Sequence, residues 1–231
     1  RVDIPKVLPD WTGIEDHQTN RALRSLETFG LNPSITREDF TFYKYDVEYS
    51  RESILSKVRD KYIEDMKESN QNSLAEALFL IENWNLKADS LNTAAALSLI
   101  VLPNAFKESD LEYDKKEITK KLNEAIYYFN AKFGKIDVPL GQVIRLIRGE
   151  TNLPLSGGPD LLRAIYFEKK EDTYQAVAGD CYFQSVEWSP KGDLNAWSIH
   201  QYGSSTLDKT SKHYDSQSLL FSKHKMKQIR P

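Results

Sequence analysis

The hydrophobic residues of this chain change their spacing once, and that change limits its fold more than any other feature. Up to about Arg148 apolar side chains recur three or four residues apart; from Leu153 onward they alternate or gather in short runs. The first spacing fits one face of a helix, and the second fits strands whose side chains point to opposite faces. The order predicts an α+β fold, with residues 1–150 as a mainly helical subdomain and 151–231 as a strand-rich segment with a closing helix. A chain of 231 residues is long enough for a sizeable buried core.

The helices are marked one by one. Residues 15–29 place Ala22, Leu23, Leu26 and Phe29 on one face and stop at Gly30, a natural C-cap. Thr36-Arg37-Glu38-Asp39 has the form of a capping box, a hydroxyl followed three residues on by a carboxylate. Residues 50–67 carry Ile54, Leu55, Val58, Tyr62, Ile63 and Met66 at helical spacing. Asn72 or Ser73 can cap a helix that turns Leu74, Ala77, Leu78, Ile81 and Trp84 inward. Residues 91–102 and 115–133 predict two more. These stripes read as core packing, not as cofactor boxes. Residues 1–14, with Pro5, Pro9 and Gly13, predict an extended lead-in.

After a turn-rich stretch at 153–159, strands are expected at 164–168, 179–188 and 194–201, with Pro190-Lys191-Gly192-Asp193 as a hairpin turn and a last helix over 216–225.

Several function classes drop out. A net charge of −3 and a pI near 5.9 give no electrostatic case for nucleic acid or an anionic membrane. The longest apolar run, 94–102, is too short to span a bilayer and reads as a buried helix. Arg1-Val2-Asp3-Ile4-Pro5 carries no legible targeting signal, present or absent. The single cysteine, Cys181, rules out an internal disulfide and a multi-cysteine metal site, and its alternating apolar surroundings predict an inert core thiol. His17, His200, His213 and His224 lack the spacing that puts two zinc ligands on one helical face. Gly157-Gly158-Pro159 lacks the lysine and hydroxyl of a phosphate-binding loop and reads as a turn, while Glu64-Asp65 predicts a solvated helix face.

The run Gln201-Tyr202-Gly203-Ser204-Ser205, then Ser211-Lys212-His213-Tyr214-Asp215-Ser216-Gln217, holds the ingredients of a catalytic triad. The glycine-flanked elbow that exposes a nucleophilic serine is missing. Polar side chains tying a loop to the next helix are the better reading. The same run, taken with four others, also carries a resemblance. The others are Gly179-Asp180 ahead of an apolar strand, Leu153-Pro154-Leu155-Ser156-Gly157-Gly158-Pro159-Asp160, Pro139-Leu140-Gly141-Gln142-Val143 with Arg148-Gly149, and Asn83-Trp84-Asn85-Leu86-Lys87-Ala88-Asp89-Ser90. In this order, and over nearly the whole chain, they resemble the C-terminal part of the β-chain in the penicillin acylase family. That family takes in penicillin, cephalosporin, aculeacin and acyl-homoserine lactone acylases.

The resemblance implies an N-terminal-nucleophile hydrolase. A precursor cuts itself into an α-chain and a β-chain, and the β-chain's new first residue, usually serine, attacks an amide carbonyl. A hydroxyl is a poor nucleophile until a base takes its proton, and a free α-amine with a pKa of about 7.7–8.0 suits that task. Arg1 cannot be that nucleophile. The family's histidine, oxyanion donors and most of its acyl pocket are expected ahead of this chain, so the chain alone is expected to be inactive. An arginine near the family's active site precedes a basic helix residue by six positions; if that residue is Arg24, the arginine position holds Gln18, with Arg21 as the nearby substitute. Glutamine keeps a donor but loses the charge and the guanidinium fork. Gln18 and Arg21 are therefore expected to line the pocket, and Tyr202, Gly203, Ser204, His213, Tyr214 and Gln217 to form a structural motif.

By the same resemblance the strands belong to one side of an αββα sandwich. The expected partners are the rest of the β-chain, the α-chain and an acylated small molecule, in a periplasmic or secreted protein without a membrane span. No cofactor is expected in this stretch, and calcium only in the full enzyme. Strands parted from their neighbours would expose edges and promote self-association. Two rivals stand beside this reading: a non-catalytic helical interaction module, which Arg1 and Gln18 favour, and a self-contained serine hydrolase using Ser204 and His213.

Overall fold

The computed structural model describes residues 18–68 and 72–229; the lead-in over residues 1–14, the expected helix start at Glu15, and His17 lie outside them. Among the described residues eight α-helices and two sheets make a mixed α+β fold. Helix α1 (Asn20–Glu27) starts at Thr19, whose hydroxyl accepts from the Ala22 amide. The Thr36–Asp39 capping box forms as the residue types dictate and opens α2 (Arg37–Lys44). Then come α3 (Ile54–Glu68), α4 (Ala75–Glu82) and α5 (Ala95–Val101). The last starts later than its apolar run because Asn92 Oδ1 accepts from the amides of Ala94 and Ala95. Helix α6 (Lys115–Phe133) fills the expected range, from an Asp114 N-cap to a left-handed Gly134.

A single turn, α7 (Leu140–Val143), leads straight into β1 (Ile144–Arg148), which pairs antiparallel with β2 (Thr151–Pro154). The first sheet has the order β2-β1-β4-β3, with β3 (Ile165–Lys170) antiparallel and β1 parallel to β4 (Thr173–Gly179). The second has the order β5-β6-β7, from β5 (Tyr182–Trp188), β6 (Leu194–His200) and β7 (Lys227–Gln228). At the corner between the sheets Gly179 adopts φ +128°, and a Cβ there would strike the Ala164 carbonyl. Helix α8 (Ser218–Ser222) packs on β2 and β6. One cluster of buried apolar side chains runs from Tyr49 through Trp84, Leu97, Leu122 and Ile144 to Phe221, so helices and strands share a core.

The structure corrects the sequence reading at several points. Strands begin at Ile144 instead of beyond Leu153; β1 follows directly on a helical turn, so its apolar residues look like a continuation of helical spacing. Strand β4, partly covered along most of its length, shows no simple alternation and was not expected. The closing helix is only five residues long. Cys181 is exposed at the sheet corner, not a core thiol. Asp65 is not simply solvated, since its carboxylate accepts from the Tyr113 hydroxyl at 2.6 Å. No helix among the described residues is long and apolar enough to cross a membrane.

Candidate functional site

The two residues expected to line a pocket lie at the N-terminal end of α1, where the chain meets the loop before β3. Asn20 is buried and ties three segments together. Its amide donates to Asp160 Oδ2 at 2.7 Å and its Nδ2 to the Asp160 carbonyl at 3.0 Å, while its Oδ1 accepts from the Ser50 amide at 2.8 Å. Asp160 sits in the left-handed region at φ +57°, which aspartate tolerates better than most residues. Arg21 Nε reaches the other oxygen of that carboxylate at 3.2 Å. Beside it Tyr49, fully within the core, donates to the Pro159 carbonyl at 2.6 Å, and burial pushes its phenol well above the usual range.

Arg24, the reference residue for placing Gln18, points at acids. It contacts Asp46 at 2.7 Å, Glu27 at 2.7 Å and Glu48 at 3.5 Å. Burial works against its charge, but the hydrogen bonds and charges of Asp46, Glu27 and Glu48 outweigh it and hold the guanidinium firmly ionised. Gln18 is exposed and borders a cleft of about 700 Å³ with Leu23, Ile54, Lys57 and Phe106. Arg21 does not border that cleft; it is spent on Asp160.

The 201–217 run folds into a lock. A Cβ at Gly203 would run into the His213 carbonyl, so only glycine lets the two strands of the loop touch. The Ser205 amide donates to that same carbonyl at 3.2 Å, and the Gln217 amide to the Tyr202 carbonyl at 2.7 Å. Gln217 Oε1 accepts from the His200 amide, fixing the loop to β6. The Arg148 guanidinium lies between the rings of Tyr202 and Tyr214, 4.5 and 3.8 Å from their centroids. Ser204 and His213 are both exposed, and Asp215 accepts from Thr151. Among the described residues no histidine ring is hydrogen-bonded to a serine, threonine or cysteine, and the triad ingredients stay apart.

Residues quoted from separate stretches of sequence meet in space. The Ser90 amide donates to Ser156 Oγ at 2.9 Å, the Gly157 amide to the Ala88 carbonyl at 2.8 Å, and the Gly141 amide to the Ser90 carbonyl at 2.8 Å. The Asp180 amide donates to the Ala164 carbonyl at 2.8 Å, and its carboxylate accepts from Lys44 and Arg163. Residues 83–90, 139–143 and 153–160 thus form one hydrogen-bonded frame, which 148–149 joins to the 201–217 lock, while Asp180 bonds outside it, to Ala164, Lys44 and Arg163.

Sequence reasoning missed Asn20, Lys44, Tyr45 and Arg163 as members of polar clusters. Their partners lie far along the chain, and spacing carries no signal for such contacts. Among the described residues no three His, Cys, Asp or Glu side chains converge as metal ligands. Comparison of the sequence with protein-family models and with curated proteins finds no match.

Proposed function

We propose that this chain is the C-terminal scaffold of an amide hydrolase of the penicillin acylase kind, whose attacking group belongs to polypeptide other than the residues described. The reaction is hydrolysis of a linear amide in an acylated small molecule. A nucleophile adds to the carbonyl, the amine leaves with a proton, and water releases the acid from the acyl-enzyme. On this reading the two sheets are parts of an αββα sandwich, calcium binds elsewhere in the enzyme, and the protein is periplasmic or secreted. Gln18 borders the reacting groups as a neutral donor, and Arg21 and Asn20, through Asp160, hold the segment that carries it.

One observation carries the reading: three of the motifs that resemble the family, 83–90, 139–143 and 153–160, are hydrogen-bonded to one another in a single frame instead of lying scattered over the surface. The second sheet supports it. Among the described residues strand β5 has no neighbour on its outer side, and the face holding Tyr182, Val186, Trp188 and Leu194 is exposed, as expected of strands that continue into other polypeptide.

The test is to produce the chain together with the polypeptide encoded ahead of it and to assay chromogenic acyl amides. Turnover that needs a serine, threonine or cysteine freed at a self-cleavage junction supports the proposal, with residues 1–231 alone inactive. A junction without such a residue, and no turnover, leaves the interaction module. Turnover by residues 1–231 alone that Ser204→Ala abolishes overturns the scaffold reading.

A further inference from the structure

The strongest feature outside that frame is His224, between α8 and β7. The Lys225 amide donates to the Leu220 carbonyl at 2.9 Å and the His224 amide to the Phe221 carbonyl at 3.3 Å, the pattern of a helix that ends on a left-handed residue. Glycine is the usual occupant of that position, yet His224 holds it at φ +55°. Its ring stacks on Tyr45 with centroids 4.6 Å apart and planes 7° from parallel. Its Nε2 is buried and has no hydrogen-bond partner among the described residues. A strained backbone and an unpaired ring nitrogen in one residue call for a compensating contact, and the stack on Tyr45 is that contact.

The surroundings resist a charged imidazole. Lys44 at the end of α2 and Tyr45 just after it face it, with Arg163 from ahead of β3, Asp180 from the sheet corner and Asp89 from the loop before α5. Arg163 is 0 % exposed; it binds Asp180 at 3.2 Å and the Phe221 carbonyl at 2.9 Å, while Lys44 shares the same Asp180 oxygen at 2.9 Å. Burial foremost, then Arg163 and Lys44, pull the His224 pKa down to about 4 against the opposing carboxylates Asp89 and Asp180. Over residues 225–229 Met226 packs against the core, and the strand pairing is short. Strand β7 is two exposed residues long and pairs Lys227 with Ser198 and Gln228 with Trp197, followed by the Ile229 amide on the Ala196 carbonyl at 2.8 Å.

We propose that His224 is an acid-released latch for the C-terminal strand: a proton from solvent on its imidazole frees the ring from Tyr45 and lets β7 peel from β6. The cation carries an N–H at both ring nitrogens, and the one at Nε2 meets no acceptor beside two other cations. The docked pKa lies below the free value, so docking is full above pH 6.5 and weakens as pH falls through about 4. The limit of that weakening is 10 to the power (6.5 − 4), roughly 300-fold in the opening equilibrium. Release leaves β6 with a bare edge between Ala196 and Ser198, a pairing site that neutral pH keeps covered.

The experiment is hydrogen exchange of the Ile229 amide in the 231-residue chain between pH 7 and pH 4, corrected for the intrinsic rate. The opening constant is expected to rise by roughly 100-fold in the unmodified protein over that range, short of the limit reached only below pH 4. In H224N, which accepts the left-handed backbone, and in H224F, which keeps the stack, it is expected to stay within about threefold. Amides of α6 serve as the control and should keep their protection throughout. A rise in both variants that matches the unmodified protein, a rise below about threefold in the unmodified protein, or α6 opening in step with Ile229 would each overturn the latch.

Discussion

The junction around Asp160 and the sheet made of β5, β6 and β7 are built to different standards of closure. At the junction, buried Asn20, Ser50, Tyr49 and Asp160 satisfy their polar groups inside the core, with the exposed Arg21 reaching in to Asp160. In the sheet, one face is covered by α2: Arg37 pairs with Glu187 at 2.5 Å and lies over Trp197, and Tyr45 meets Phe183 edge to face. The other face leaves Trp188 69 % and Leu194 61 % exposed. Among the described residues nothing covers this open face. An apolar patch of aromatic and aliphatic side chains on an unpaired strand is what a contact surface looks like before its contact is made.

The contrast can be broken by mutation, starting in the closed frame. Trp84 is 2 % exposed, and its indole donates to the Lys87 carbonyl at 3.0 Å. Trp84→Ala is expected to lower the unfolding free energy by about 3–5 kcal/mol, read from the urea midpoint. Asp160→Ala should cost about 2–3 kcal/mol, because it strips the acceptor from a buried amide and puts alanine at φ +57°. On the open face Trp188→Ser should change stability by less than about 0.5 kcal/mol. It should nonetheless reduce concentration-dependent association, measured by light scattering, because it removes the most exposed large side chain of β5. If Trp188→Ser cost as much as Asp160→Ala, the two regions would not differ as argued.

What the sequence made legible follows the same division. Local rules worked where residues answer their near neighbours: the Thr36–Asp39 capping box and the Asp114-to-Gly134 span of α6 form as expected, and Tyr182–Trp188 and Leu194–His200 pair across the expected turn. They failed where pairing reaches across the chain. Strand β4 gains its place from β1 and β3 on either side, and β1 hides behind the helical turn ahead of it. Cys181 lies in an apolar-looking stretch but falls at the corner between sheets, where alternation breaks. Of the candidate site, position gave Gln18 its cleft, but nothing in the spacing foretold that Arg21 would be tied to Asp160, 139 residues away.

A small effect at neutral pH is also expected at Tyr45, where the closed region is not fully satisfied. Its side chain is 7 % exposed, yet the hydroxyl has no hydrogen-bond partner. Tyr45→Phe removes that orphan group and keeps the ring against His224 and Phe183, so at pH 7 stability should stay within about 1 kcal/mol of the parent or rise. The alkaline side separates the two proteins. Burial first, then Asp180, raise the Tyr45 pKa to about 12 against the opposing charge of Arg163. A phenol that ionises near 10 when unfolded and near 12 when folded gives stability that is whole below pH 10 and fades as pH climbs through 12. Tyr174, also pushed up to about 12, keeps its own share in both proteins, so Tyr45→Phe should flatten the alkaline loss without abolishing it. An unfolding midpoint that falls equally with pH in parent and variant would mean the Tyr45 hydroxyl reaches water, and that the junction of α2 with β5 is more open than the stack on His224 implies.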